Sequence, residues 1–199
     1  MPAEIQHGPR DRPNVALTFH GQGDAGVVGR LLDALDRGGA KVTVLAVGTW
    51  LTAEPALARR VVAAGHELGN HTQHHADIKR MPAKQAYAEI DQCARSLKEI
   101  TGSIGRWFRP SQTRLATATI KAAATRAGYP ACLSYDVDPL DYTDPGASAV
   151  VASTLKTVRP GSIVSLHFGH AGTVAAIAPL LRGLRDHGLT PVTVSELIG

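Results

Sequence analysis

Asn14 to Val47 reads NVALTFHGQGDAGVVGRLLDALDRGGAKVTVLAV. Its first six residues, Asn14 to Phe19, form a short β-type run. From Gly26 to Arg37 the apolar residues Val27, Val28, Leu31, Leu32 and Leu35 recur at helical spacing. Gly38-Gly39 ends that helix as a C-terminus should end, and Lys41 to Val47, KVTVLAV, is a second strand. Outward from this unit the alternation continues. Helices are expected over Glu54–Ala64, Pro82–Ile100, Ala116–Ala127, Ala147–Val158 and Thr173–His187. Between them strands are expected at His66–Gly69, Arg106–Arg109, Ala131–Val137, Ser162–Phe168 and Pro191–Val194. About seven β–α steps without a break in composition predict a parallel sheet, either open and doubly wound or closed into a barrel.

The bulk properties agree with a single globular domain. The chain has 199 residues, 44% hydrophobic and 19% charged, enough to bury a core without a disulfide or metal staple. Net charge is +4, and the 15 Arg and 6 Lys are scattered, without the basic and aromatic clustering of a nucleic-acid face. No apolar run approaches 18 residues, so no membrane span is expected. The start, MPAEIQHGPR, is polar and lacks the apolar core of a signal peptide. Residues 1–13 read as an N-terminal extension and 14–199 as the one domain. Cys93 falls in a helical pattern and Cys132 in a strand pattern, so both read as small buried hydrophobes.

The unusual polar residues gather at strand ends. His20 and Asp24 follow the first strand, and His71, His74 and His75 follow the third. Arg109 ends the fourth, Asp138 and Asp141 the fifth, His167 the sixth. The C-terminal ends of parallel strands are where barrels and open α/β sheets place their sites. His71 and His75, four residues apart, would share one face of a helical turn and reach one metal ion. Imidazole suits Zn²⁺, Co²⁺ or Ni²⁺, with a further ligand and an open water position needed for catalysis; Asp24 is available. Read without a metal, the same stretch is an exposed polar loop. His167 is either a hydrogen-bonded core residue or a proton donor. Asp138 and Asp141 either tune it or serve as turn residues, and Arg109 either holds an anion or pairs structurally. His66 reads as structural and His187 as a partner of the helix dipole.

Gly21 to Gly26, GQGDAG, matches G-x-G-x-x-G between a strand and a helix, which suggests a dinucleotide loop. The next strand ends Val47-Gly48-Thr49-Trp50, without the acid that would hold a ribose. A nicotinamide oxidoreductase is therefore a lesser alternative.

From Val15 to Ile198 the chain resembles the polysaccharide deacetylase family, carbohydrate esterase family four, the NodB-homology domain. The family's His-Ser/Thr-x-x-His motif is His71-Thr72-Gln73-His74-His75, its Arg-Pro turn is Phe108-Arg109-Pro110, and its Asp-x-x-Asp-Trp appears as Asp138-Pro139-Leu140-Asp141-Tyr142. Its Leu-x-His motif appears as Ser165-Leu166-His167. The resemblance implies a distorted (β/α) barrel of about seven parallel strands and one divalent metal, zinc or else cobalt or nickel, on His71 and His75. It also implies His167 as general acid, tuned by Asp141, and an oxyanion donor in the backbone near Gln112. The implied partner is an acetylated polysaccharide or oligosaccharide, chitin-like, xylan-like or of a cell wall. Trp50, Trp107, Tyr135 and Tyr142 are its candidate stacking surfaces, each equally readable as core. A secreted or cell-surface protein whose signal segment lies outside this sequence is implied as well, with a cytoplasmic place left open.

The first motif departs from the family. Thr-Phe-Asp-Asp-Gly is replaced by Thr18-Phe19-His20-Gly21-Gln22, and a carboxylate returns only at Asp24. After Pro110, Ser111-Gln112-Thr113 replaces Pro, an aromatic and Gly. Two arrangements stay open. In one, the glycines let Asp24 swing back to join His71 and His75 as ligand, with His20 as base or water-orienting group. In the other, His20 is the third ligand and Asp24 the base. A third possibility is a barrel that binds sugar without chemistry, its site disabled by the altered motif.

Overall fold

The computed structural model describes residues 3–199. Its centre is β2 (Asn14–Gly21), buried along nearly all of its eight residues. β2 pairs in parallel with β3 (Thr43–Ala46) on one side and with β6 (Ile163–His167) on the other. β3 pairs with β4 (Glu67–Asn70). From there the ring passes through one bridging residue, Phe108, which pairs with Asn70 and with Cys132 of β5 (Ala131–Leu133). Val137 bridges to Val164 and closes the circuit on β6. β1 (Ala3–Ile5) runs along β5, and β7 (Thr190–Val192) along the first part of β2. All of these strand pairs are parallel, giving the distorted barrel that the resemblance implies.

The distortions lie where the sequence pattern is weakest. The expected strand at 106–109 contributes only Phe108, because Pro110 has no N–H with which to extend the ladder. Part of the stretch expected as an extension is structural: Ala3–Ile5 gives β5 its neighbour, while Met1 and Pro2 lie outside the described residues. Two short helices fall outside the expected set, α2 (Gly48–Ala53) and α8 (Val194–Ile198). The first has no side-chain cap and the second is one turn closed by a Thr193–Glu196 capping box, so neither is long enough to show a period. The longer helices are α1 (Ala25–Gly38), α3 (Pro55–Ala63), α4 (Ala83–Thr101), α5 (Ala118–Arg126), α6 (Ala147–Thr157) and α7 (Ala171–Asp186). None among the described residues is long and apolar enough to cross a membrane.

The pleat of the strands sorts side chains between the helical shell and the barrel interior. Val15, Leu17 and Phe19 of β2 join Val164 and Leu166 of β6 in the main core with Leu31, Leu35, Leu180 and Leu184 of α1 and α7. The alternate residues pair inward in layers: Ala16 with Ile163, Thr18 with Ser165, His20 with His167. Ala16 and Ile163 pack with Leu45, Trp107 and, from α8, Val194 and Leu197, filling the lower barrel. At its mouth the interior turns polar.

Two loops meet above that mouth. A Cβ at Gly23, after β2, would lie 2.6 Å from Gly169 Cα and 2.8 Å from Gly169 N, after β6. Neither backbone can retreat without moving a strand end. Gly23→Ala is therefore expected to destabilise the protein by about 1–3 kcal/mol, seen as a lower denaturant midpoint with unchanged m-value. A midpoint within error of wild type would show that the loops do not clamp each other.

Candidate active site

His20 and His167 face each other across neighbouring strands, and their rings stack with centroids 4.2 Å apart and planes 9° from parallel. His71 follows β4, where its backbone N–H donates to Ala46 O. Its ring Nδ1 lies 2.9 Å from Arg109 O, an acceptor, so Nδ1 carries the proton and Nε2 presents a lone pair to the site. That lone pair lies 2.7 Å from His20 Nδ1, and His20 Nε2 lies 2.9 Å from Ser165 Oγ. The His75 ring meets His71 edge-on at 4.9 Å. One nitrogen from each of His20, His71 and His75 falls within 4.8 Å of the others.

The segment carrying His71 and His75 is a loop, not the expected helical turn. Thr72 and His75 both have positive φ, 69° and 55°, costly for non-glycine residues and worst for a β-branched one. The surroundings enforce them. Thr72 N–H donates to buried Asn70 Oδ1, Thr72 Oγ1 to Ser111 Oγ, and Ser111 Oγ to Ala76 O. Thr72 O and Gln73 O accept from Gly48 and Thr49 N–H, Gln112 Nε2 donates to His75 O, and Glu89 holds both N–H and Nδ1 of His74. His74 therefore faces away from the other histidines.

His167 is held differently. Asp141, fully buried at the first residue of a 3-10 turn (Asp141–Thr143), accepts His167 Nδ1 through Oδ1 at 2.8 Å. Its other oxygen accepts His167 N–H and Thr173 Oγ1. His167 Nε2 is left facing a cavity of about 440 Å³, bordered also by His20, His75, Gln112, Tyr135, Tyr142 and His170. Tyr142 sits edge-on to His167 at 5.0 Å and is half exposed. Gln112, at φ 53°, lines the same cavity, and among the described residues no acceptor takes its backbone N–H.

The structure corrects three placements. Asp24 is not beside the histidines: it caps α1, its Oδ1 accepting Gly26 and Val27 N–H at 2.9 and 3.1 Å. A carboxylate at an N-cap satisfies orphan helix donors, and that role holds it away from the barrel mouth. Trp50 is not a stacking surface either, nor is Trp107, which is 3% exposed in the lower barrel. The turn of α2 points Trp50 inward, edge-on to Phe168 at 6.0 Å and 6% exposed. Arg109 is 1% exposed, with donors to Leu133 O and Ser134 O and Nη1 3.5 Å from His20 Nε2, and no carboxylate within ion-pair distance among the described residues. Sequence motifs do not mark Ser165, Arg114 or the His170–Asp144 pair (3.0 Å) as belonging to the site. Strand parity does point to Ser165, two residues before His167.

Burial pushes His20 and His71 well below the usual imidazole range, with neighbouring histidines and Arg109 adding to it, and lowers His75 as well, helped by His167. All three are neutral at pH 7, the form that binds metal. The donor set thus fits one divalent cation: three imidazoles, with His71 oriented by a carbonyl behind it. A tetrahedral zinc site spaces its nitrogens by about 3.3 Å. To hold a cation together, His20 and His71 would part slightly and give up the proton they share.

The polysaccharide deacetylase family model matches residues 7–132; Asp141 and His167 lie beyond that span. A chitooligosaccharide deacetylase of Bradyrhizobium sp. is 31% identical over 157 residues, 79% of this chain and 71% of the relative. A peptidoglycan-N-acetylglucosamine deacetylase of Bacillus cereus is 31% identical over 200 residues, 96% of this chain and 90% of the relative. In fold the chain is similar to a solved CE4 family pseudoenzyme from Bacillus anthracis, at TM-score 0.93 and 23% identity, covering 100% of this chain and 70% of that one.

Neutral burial of His20 and His71 has a measurable sign. Their folded pKa values lie below the unfolded value of about 6.5, so below that pH the unfolded chain binds more protons. Stability is fully present above about pH 6.5 and is lost as pH falls towards the folded values, by at most about 1.4 kcal/mol per pH unit for each histidine. Denaturant titrations of chelator-treated protein at pH 7.5, 6.5 and 5.5 should show this fall, and His71→Asn should flatten it. A flat wild-type profile would contradict neutral burial.

Proposed function

This chain belongs to the polysaccharide deacetylase family, and on that premise we propose that it removes acetyl groups from N- or O-acetylated sugars of a glycan. The reading rests on one juxtaposition: the Asp141–His167 pair opens onto the same cavity as the cluster of His20, His71 and His75. Family members generally use a divalent metal, and here His20, His71 and His75 are the residues that would hold it. A bound divalent ion supplies polarisation of the acetyl carbonyl and hydroxide at neutral pH.

The chain's own groups supply the remainder. The unengaged N–H of Gln112 is a donor for the oxygen that gains charge as the carbonyl is attacked. His167 Nε2 takes a proton from the attacking water and returns it to the leaving nitrogen or oxygen, so the proton balance closes on one imidazole. Asp141 keeps the His167 proton on Nδ1 and steadies the imidazolium between the two transfers. Tyr142 offers its exposed ring to the sugar face.

One observation favours a second reading, a barrel that binds glycan without turnover: His20 and His71 hydrogen-bond each other directly. Elemental analysis of the purified protein beside His20→Ala and His71→Ala, with acetate release from chitooligosaccharides and peptidoglycan fragments, separates the two. The hydrolase reading expects about one zinc, cobalt or nickel per chain, lost in both variants. It also expects His167→Ala to keep its metal while acetate release falls about 10²–10⁴-fold. Wild type that takes up no metal even when zinc is supplied leaves the binding reading. Metal retained by His20→Ala overturns the three-imidazole set.

A further inference from the structure

Two guanidinium groups share the ring of Tyr135 on one wall of the cavity. Arg109 Cζ lies 5.3 Å and Arg114 Cζ 5.5 Å from its centroid. Burial pulls Arg109 down to about 10, which leaves it a cation at neutral pH. Arg114 lines the cavity and is exposed, yet its side chain is fixed: Nε and Nη2 donate to Tyr135 O at 3.3 and 3.1 Å. Among the described residues neither arginine has a carboxylate within 4 Å. The one acid lining the cavity is Asp138, close enough to Arg109 and Tyr135 to act on both, and its Oδ1 already accepts Leu140 N–H. The other acids near the cavity, Asp141 and Asp144, are taken up by His167 and His170. Two fixed cations against one carboxylate leave this wall with a surplus positive charge at Arg114.

We propose that Arg114 selects acetylated glycans that carry a carboxylate on a sugar beside the acetylated one. A guanidinium already immobilised on an aromatic face loses little freedom on gripping a carboxylate, and Nη1 of this cavity-lining side chain has no hydrogen-bond partner among the described residues. The inference rests on the reading of this cavity as the seat of an acetylated glycan and adds the charge of the preferred one.

Binding of two tetrasaccharides to the full chain tests it: neutral chitotetraose, and a peptide-free tetrasaccharide alternating N-acetylglucosamine with N-acetylmuramic acid, whose lactyl ether bears the carboxylate. Calorimetric titration at low ionic strength is expected to show the carboxylate-bearing sugar binding about tenfold tighter, with the ratio shrinking as salt is added. Arg114→Gln should bring the ratio to one and Arg114→Lys should restore part of it, with thermal midpoints measured alongside to show that both variants are folded. Equal affinities in wild type, a preference that survives Arg114→Gln, or binding of neither sugar overturns the proposal. Acetate release is recorded separately. Failure to release acetate from either sugar counts against the hydrolase reading, while the affinity ratio still decides the role of Arg114.

Discussion

Parallel pairing of β2 with β6 in one register governs the mouth of the barrel. It sets His20 opposite His167, Thr18 opposite Ser165 and Ala16 opposite Ile163, so one strand face passes from apolar plug to hydroxyl layer to stacked imidazoles. Partners in a parallel ladder point the same way, and a slip of one residue would send His20 into the helical shell and Phe19 into the site. Burial of Val15, Leu17 and Phe19 under α1 and α7 makes that slip prohibitive. Hydrophobic packing outside the barrel is thus what holds the polar geometry inside it. The His71 loop then attaches to this frame through Asn70, Thr72 and Ser111, each satisfied in the interior.

Arg109 shows how the altered first motif changes the electrostatics. A guanidinium at 1% exposure with carbonyl acceptors but no ion-paired acid among the described residues is a buried cation with incomplete compensation. His20 stands beside it where a carboxylate would neutralise it, and the two repel when His20 is protonated. The arginine therefore does the opposite of pairing: it helps keep the neighbouring imidazole neutral, and neutral imidazole is what a cation needs as ligand.

Much of this architecture is legible in the amino-acid sequence. The strands near 14–21, 43–46 and 163–167 and the helices α1, α4 and α7 announce themselves by period and by closing glycines such as Gly39 and Gly102. That His71, Asp141 and His167 belong to one face follows from their positions at strand ends. The sequence also holds the means to choose between His20 and Asp24. His20 shares parity with Ala16 and Thr18, which places it inside, and Asp24 stands immediately before a helix, where an acid is a cap. The loop of His71 and His75 is not legible, because its positive φ angles come from tertiary hydrogen bonds rather than local preference. Nor is the inward turn of Trp50, set by a six-residue helix without a cap.

Gly21 carries a consequence for any carboxylate placed at the barrel mouth. A Cβ there would lie 2.7 Å from Val44 Cγ1 and 3.0 Å from Ala46 Cα, so at the position matching the family's second acid the neighbouring strand leaves no room for a side chain. Gly21→Asp would require Val44 and the β3 backbone at Ala46 to give way first. Chemistry at the mouth is therefore more readily altered through its imidazoles than by placing a carboxylate at this position.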